Sequence, residues 1–113
     1  MLAADSIRLR HMLDAAREAI SFTLNKDRPS LNADRQLTLA LVKAVEIIGE
    51  AAGKVTEECR QEFAQIPWAS IIGMRNRLIH AYFDIDLDIL WKTIIEDIPP
   101  LIADLEQIIP PAA

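Results

Sequence analysis

The sequence predicts an all-α fold, an antiparallel bundle of four to five helices. Three observations predict it. Apolar residues recur at the three-and-four spacing of amphipathic helices through most of the chain, and strict alternation is scarce. Aliphatic side chains dominate a composition that is 51% hydrophobic and holds six aromatics. Three glycines and no long polar tract leave little material for loops. At 113 residues the chain reads as one domain, spanning 1–113.

Each element has its own warrant. Ser6 to about Leu24 reads as a first helix with the apolar stripe Ile7, Met12, Leu13, Ala16 and Ile20. Its wet side carries Arg8, Arg10, Arg17 and Glu18. Asn25 to Pro29 is a turn, after which Ser30 is a fair N-cap. A second helix runs from about Leu31 to Lys54, with Leu37, Leu41, Ala44, Ile48, Ala51 and Val55 on one face. Leu39, Val42 and Ile47 lie elsewhere on its cylinder, so it is central, or shared between the core and a second copy. Thr56 caps a short helix to about Phe63. Pro67 opens the next helix, predicted over 68–83, because proline is tolerated in a first turn. Asp86 caps the last helix, which runs to Ile109 with Leu90, Ile94, Ile98, Leu101, Leu105 and Ile108 inward. Pro99-Pro100 should kink or split it.

Composition excludes several classes. No apolar run approaches the ~18–20 residues that span a bilayer, so no membrane role is expected. The N-terminus lacks a basic region followed by a hydrophobic stretch, and is no signal peptide. One cysteine, Cys59, makes no internal disulfide, which fits a reduced, cytoplasmic setting. Asp84-x-Asp86-x-Asp88 is no calcium loop, because Ile89 and Ile95 stand where glycine and glutamate are needed. No Cys/His cluster suggests zinc and no glycine-rich loop suggests a nucleotide phosphate, so neither metal nor cofactor is expected. The net charge of −5 opposes nonspecific nucleic-acid binding. From Asp84 onward seven acids face one lysine. Any RNA contact must use a local patch around Arg75 and Arg77, strengthened if two copies combine it.

The chemistry is concentrated in Arg75-Asn76-Arg77-Leu78-Ile79-His80-Ala81-Tyr82. Arginine offers a fixed charge and a planar donor fork for phosphate. Histidine is the side chain most readily poised as acid or base near neutrality. On an ideal helix, Ile71, Ile72, Leu78, Ile79 and Tyr82 fall within ~60° of Arg75, which places it amid the apolar face. Burial there demands a partner, for which Glu46 or Glu50 is available. Ala69, Gly73, Asn76 and His80 form a second stripe whose small residues would admit another helix. Structural readings stand beside these: His80 as a helix-end residue, Arg75 as half of an ion pair, Glu50 on a solvated face. Tyr82, ~200° from His80, reaches the same cleft if the helix ends near His80.

Arg75-Asn76-x-x-x-His80 resembles the R-N-x-x-x-H signature of HEPN ribonucleases. The extension to Tyr82 is similar to the R-x4-H-x-Y form of HepT toxins from MntA–HepT toxin–antitoxin systems. The resemblance extends over nearly the whole chain, including the 46–51 run, Ile66-Pro67-Trp68 and Asp84-x-Asp86. It implies a HEPN-like helical bundle that forms a homodimer with the arginine and histidine of both subunits facing one cleft. It implies metal-independent endoribonuclease activity on RNA such as tRNA or mRNA, with Arg75, Asn76 and His80 catalytic and Arg77 touching RNA. It also implies a nucleotidyltransferase antitoxin that attaches AMP to Tyr82. Glu46 would support Arg75. The competing class is a non-catalytic dimeric adaptor that holds the nucleotidyltransferase.

Overall fold

α1 (Ala3–Phe22) and α3 (Arg35–Lys54) are the two long helices, packed along each other. The computed structural model describes residues 1–81 and 84–110, with His80 and Ala81 described through their backbone. The inward face of α1 is Leu9, Met12, Leu13, Ala16 and Ala19, all essentially buried. Three, four or seven residues separate most of these, so one stripe enters the core. Ile7, assigned by periodicity to that stripe, is instead 53% exposed. α3 contributes Leu37, Leu41, Val45, Ile48 and Ala52. Leu39 faces outward at 48% exposure, which leaves part of α3 uncovered, as its broad apolar character suggested.

The predicted 31–54 helix is in two pieces. α2 (Ser30–Ala33) is a single turn, and the chain then breaks at Asp34, whose backbone is extended. Its carboxylate accepts the Leu37 N–H at 3.1 Å and starts α3. A short acid one turn ahead of an apolar run is an N-cap signal, and here it outranks helix continuity. The first cap also differs from expectation. Asp27 accepts from the Ser30 N–H and hydroxyl, so Ser30 is capped rather than capping.

α4 (Glu57–Glu62) follows the expected cap, with the Cys59 N–H on Thr56 Oγ1. The same threonine is also tied to α1. Its N–H and hydroxyl both donate to the Asp5 carboxylate, at 2.9 and 2.6 Å. Asp5 is 2% exposed, and these hydrogen bonds hold its carboxyl below the ordinary carboxylate range, against the opposing effect of burial. Stability from this contact is therefore fully present above about pH 4 and lost as pH falls through the depressed folded value. Asp5→Asn should lower the melting temperature at pH 7, and the gap to the wild type should shrink toward pH 3. Thermal melts across that range check this.

α5 (Trp68–Ile72) and α6 (Met74–Leu78) lie against the flank of α3. They meet α3 beside Gly49: a Cβ there would sit 3.4 Å from the Ile72 carbonyl oxygen and 3.6 Å from that of Ile71, in ordinary van der Waals contact. Ile66, Ile71, Met74 and Leu78 anchor the segment in the core. A small antiparallel hairpin follows, β1 (Ile79–Ala81) and β2 (Asp84–Ile85). Asp86 then caps α7 (Leu87–Lys92), accepting from the Ile89 N–H at 3.0 Å. A π-helical turn, Thr93–Asp97, connects α7 to α8 (Ile98–Ile108). Pro99 and Pro100 are the second and third residues of α8. Proline supplies no N–H and crowds the carbonyl four residues back, and the widened turn just before it absorbs both effects. α8 packs on α1, and Leu90, Ile94, Ile98, Leu101 and Leu105 close the core. The molecule is 42 × 31 × 19 Å, so it is about two helix diameters thick. The all-α reading holds, with the hairpin as an addition placed where the motif lies.

Candidate active site

The motif does not lie on one helix. The predicted 68–83 helix is interrupted at Gly73 and ends at Leu78, where Ile79 turns to extended backbone (φ −114°, ψ 110°). Arg75, Asn76 and Arg77 occupy the last helical turn, and His80 belongs to β1. The strand pairing is irregular there. Ile79 pairs with Ile85 and Ala81 with Asp84, so two steps on β1 match one on β2. His80 is thus the extra residue of a β-bulge, a device that re-aims a side chain. The helical-wheel relation between His80 and Asn76 therefore does not apply. Tyr82, the expected modification site, lies outside the described residues.

Arg75 is not buried, contrary to its angular position on an ideal helix. Its side chain is 51% exposed, and Met74 and Leu78 fill the inward face instead. The break at Gly73 and the end at Leu78 leave Arg75 at the rim. Its Nε donates to Glu46 Oε1 at 3.1 Å. Glu46 comes from the middle of α3 and is 25% exposed. Lys43 Nζ lies 4.0 Å from the other Glu46 oxygen, one turn back on α3. Of the two acids available from sequence, the structure selects Glu46, and Glu50 is exposed to solvent. An exposed pair of this kind is worth about 0.2–1 kcal/mol. It orients the guanidinium without locking it, and its remaining N–H groups can meet an incoming anion.

Asn76 is exposed at the end of α6, with no hydrogen bond to its amide among the described residues. Arg77 is more committed. It donates from Nη1 to the Ser70 carbonyl at 3.1 Å and lies 3.4 Å from the Ser70 hydroxyl. This ties the last turn of α6 back onto α5 across the Gly73 break. Within the chain Ala69 is exposed, and α5 meets α3 beside Gly49. Lys43, Gly49 and Ser70 were not singled out by the sequence. The i,i+3 spacing of Lys43 to Glu46 and an isolated glycine inside a strong helix were the signals available.

The acids after the motif have structural tasks. Asp86 caps α7, and Asp88 accepts from Arg28 Nε at 2.7 Å. Among the described residues no three of His, Cys, Asp and Glu gather as metal ligands would. No described helix is long and apolar enough to cross a membrane.

Comparisons with known proteins give one answer. A family model described as "Ribonuclease HepT-like" matches residues 12–108. "Putative RNase MJ1380" of Methanocaldococcus jannaschii is 37% identical over 98 residues, 87% of this chain and 90% of the relative. "Probable ribonuclease HepT" of Thermococcus cleftensis is 41% identical over 75 residues, 66% of this chain and 68% of the relative. No solved structure matches the chain. An exposed arginine steadied by a helix acid, an asparagine beside it and a histidine on the following bulge thus occur within a matched span covering most of the chain, which belongs to the HepT-like family of HEPN ribonucleases.

Proposed function

We propose that the chain is the toxin of a toxin–antitoxin pair and cuts RNA without a metal, using Arg75, Asn76 and His80. The observation that supports this best is the half-exposed Arg75 guanidinium, oriented by Glu46 and followed by the exposed Asn76. In the proposed reaction the ribose 2′-hydroxyl attacks the adjacent phosphorus and the 5′-oxygen leaves. His80 moves a proton as general base or acid, Arg75 neutralises charge on the phosphorane-like transition state, and Asn76 hydrogen-bonds a phosphate oxygen. Arg77 adds charge nearby for the RNA backbone. The test is incubation of the purified, unmodified chain with total tRNA in EDTA. Cleavage supports the reading, and intact tRNA with a folded protein counts against it.

A homodimer completes this reading. The outward face of α3 forms a shallow groove with α1, lined by Ala15, Phe22, Ala40, Lys43, Ala44 and Ile47. Lys43 belongs both to this groove and to the Glu46–Arg75 network. A second copy seated here would bring two arginine sites toward one cleft, which offsets the overall acidity. The setting we propose is the cytoplasm.

The proposed neutralising partner is a nucleotidyltransferase that attaches AMP to Tyr82. Added bulk and negative charge at the RNA site would block RNA by sterics and repulsion. Tyr82→Phe should then resist modification by that partner and keep its activity in its presence. Mass spectrometry of the co-expressed pair checks this, and normal modification of the variant would sink the assignment. A non-catalytic adaptor is the second reading, favoured by the net charge of −5. RNA binding that is salt-sensitive and lost on Arg77→Glu would decide for RNA.

A further inference from the structure

α4 and α5 flank an open groove of about 590 Å3. Its floor is apolar, made by Ala64, Trp68, Ala69 and Ile72, and its polar wall carries Arg60 and Gln61. Ile72 is 37% exposed although it is large and aliphatic. Asn76 is four residues past Ile72 along the chain, on α6 just beyond the Gly73 break, so the α5 side of the groove and the exposed Asn76 are near neighbours in sequence.

The groove is built rather than incidental. Trp68 is pinned, its Nε1 donating to the carbonyls of Arg60 and Phe63, both at 3.1 Å. Arg60 is pinned too, its Nη2 donating to the Gly53 and Ala52 carbonyls at 2.9 and 3.3 Å. Both carbonyls lie at the end of α3, where that of Ala52 also accepts from the Val55 N–H at 3.2 Å. The Arg60 Nε is buried with no hydrogen-bond partner among the described residues. The guanidinium is therefore fixed by Nη2 on two carbonyls, and its buried Nε is closed to a ligand, so Arg60 serves the groove as a planar wall.

Charge indicates the kind of group that fits. Glu57 on the rim offsets Arg60, so the groove as a whole is close to neutral. A phosphate would gain little there, whereas Arg75 and Arg77 flank Asn76 on the segment that follows. A flat, neutral, apolar group with hydrogen-bonding edges suits the groove. Nucleobases are such groups, and single-stranded RNA is commonly held by stacking bases on aromatic rings or arginine planes.

We infer that the α4–α5 groove is a nucleobase subsite for a nucleotide flanking the bond to be cut, with Trp68, Ile72 and Arg60 as walls and Gln61 as the edge reader. The inference rests on the ribonuclease reading and adds the place where the enzyme holds its substrate. Gln61 is the residue that would set base preference: its Nε2 donates to Glu57 Oε1 at 3.3 Å, which holds the amide in place and leaves its second N–H and its carbonyl oxygen for a base edge.

The test uses 2′-O-methyl RNA hexamers of each single base, which have no free 2′-hydroxyl to attack, with affinity read by fluorescence anisotropy. Gln61→Ala and Ile72→Ser should each weaken the preferred hexamer about tenfold, in the range expected for losing one stacked base. Gln61→Ala should also level the differences among the four hexamers. A 5-bromouridine hexamer should crosslink to the peptide containing Trp68. Unchanged affinity in both variants, with tRNA still cut by the wild type, would overturn the subsite and leave the ribonuclease reading in place. Loss of dimer in Ile72→Ser by analytical ultracentrifugation would overturn it in favour of a second copy covering the groove. Absence of both hexamer binding and tRNA cleavage in the wild type would overturn the subsite together with the reading beneath it.

Discussion

Arg75→Ala should lower kcat/KM for tRNA cleavage by about 10²–10³, the loss seen when one preorganised donor to a developing anion is removed. The fold should survive. The side chain is 51% exposed, and its ion pair with Glu46 is of the kind worth about 0.2–1 kcal/mol. The neighbours that hold α6 in place are Met74 and Leu78, both fully buried and untouched by the change. Circular dichroism and a thermal melt should therefore resemble the wild type. Arg75→Lys is the sharper variant. It keeps the charge but replaces the planar fork with a point donor, so it should recover RNA affinity better than rate. If Arg75→Ala cuts tRNA at the wild-type rate, Arg75 is a structural partner of Glu46 and the adaptor reading gains.

Glu46 makes this prediction more specific. Its carboxylate both attracts the guanidinium and competes with phosphate for it. The competition is mild because the pair is exposed and Lys43 draws on the other oxygen of the same carboxylate. An arginine held loosely by an acid is placed before substrate arrives and can shift to it at small cost. A fully buried pair would not do this, since breaking one leaves an uncompensated charge at a cost of about 3–5 kcal/mol. Arg75 would be unsuited to catalysis in the buried position that an uninterrupted helix implies.

The gap between that ideal position and the real one shows what was legible in the sequence. The core stripes, the Thr56 and Asp86 caps, Pro67 at a helix start and the disturbance before Pro99 are local signals, and local interactions decide them. Glu46 was one of two acids within reach, and the packing of α5 and α6 on α3 selected it. The features that escaped depend on contacts between distant segments. Asp5 is buried because Thr56, 51 residues away, supplies two hydrogen bonds. Arg77 reaches back to Ser70 across the break at Gly73; the seven-residue spacing puts the two on one helical stripe but carries no sign of the break itself. The end of α6 at Leu78 is the largest difference. Ile79 and Ile85 gain strand pairing and pack against the core, which outweighs one more helical turn. Short apolar segments with β-branched residues are where helix and strand readings compete most closely.

That hairpin sets up the second large prediction. His80→Ala should abolish cleavage, with a loss of about 10²–10⁴ if His80 carries the proton. RNA binding should fall far less than with Arg75→Ala, because a general acid or base contributes to the transition state and a phosphate clamp contributes to both states. The two variants thus separate by comparing kcat with affinity for a 2′-O-methyl RNA. The fold should tolerate the change, since the hairpin is held by backbone pairing of Ile79 with Ile85 and Ala81 with Asp84, and alanine keeps those bonds. The bulge gives a further handle. Deleting His80 would restore regular pairing but remove the extra residue, whereas His80→Gln keeps the bulge and a hydrogen-bonding side chain without a titratable group. His80→Gln should therefore bind RNA like the wild type and fail to cut it near neutral pH. Retained cleavage by His80→Ala in a protein with full dimer content would remove His80 from the mechanism and leave Arg75 and Asn76 as a binding pair.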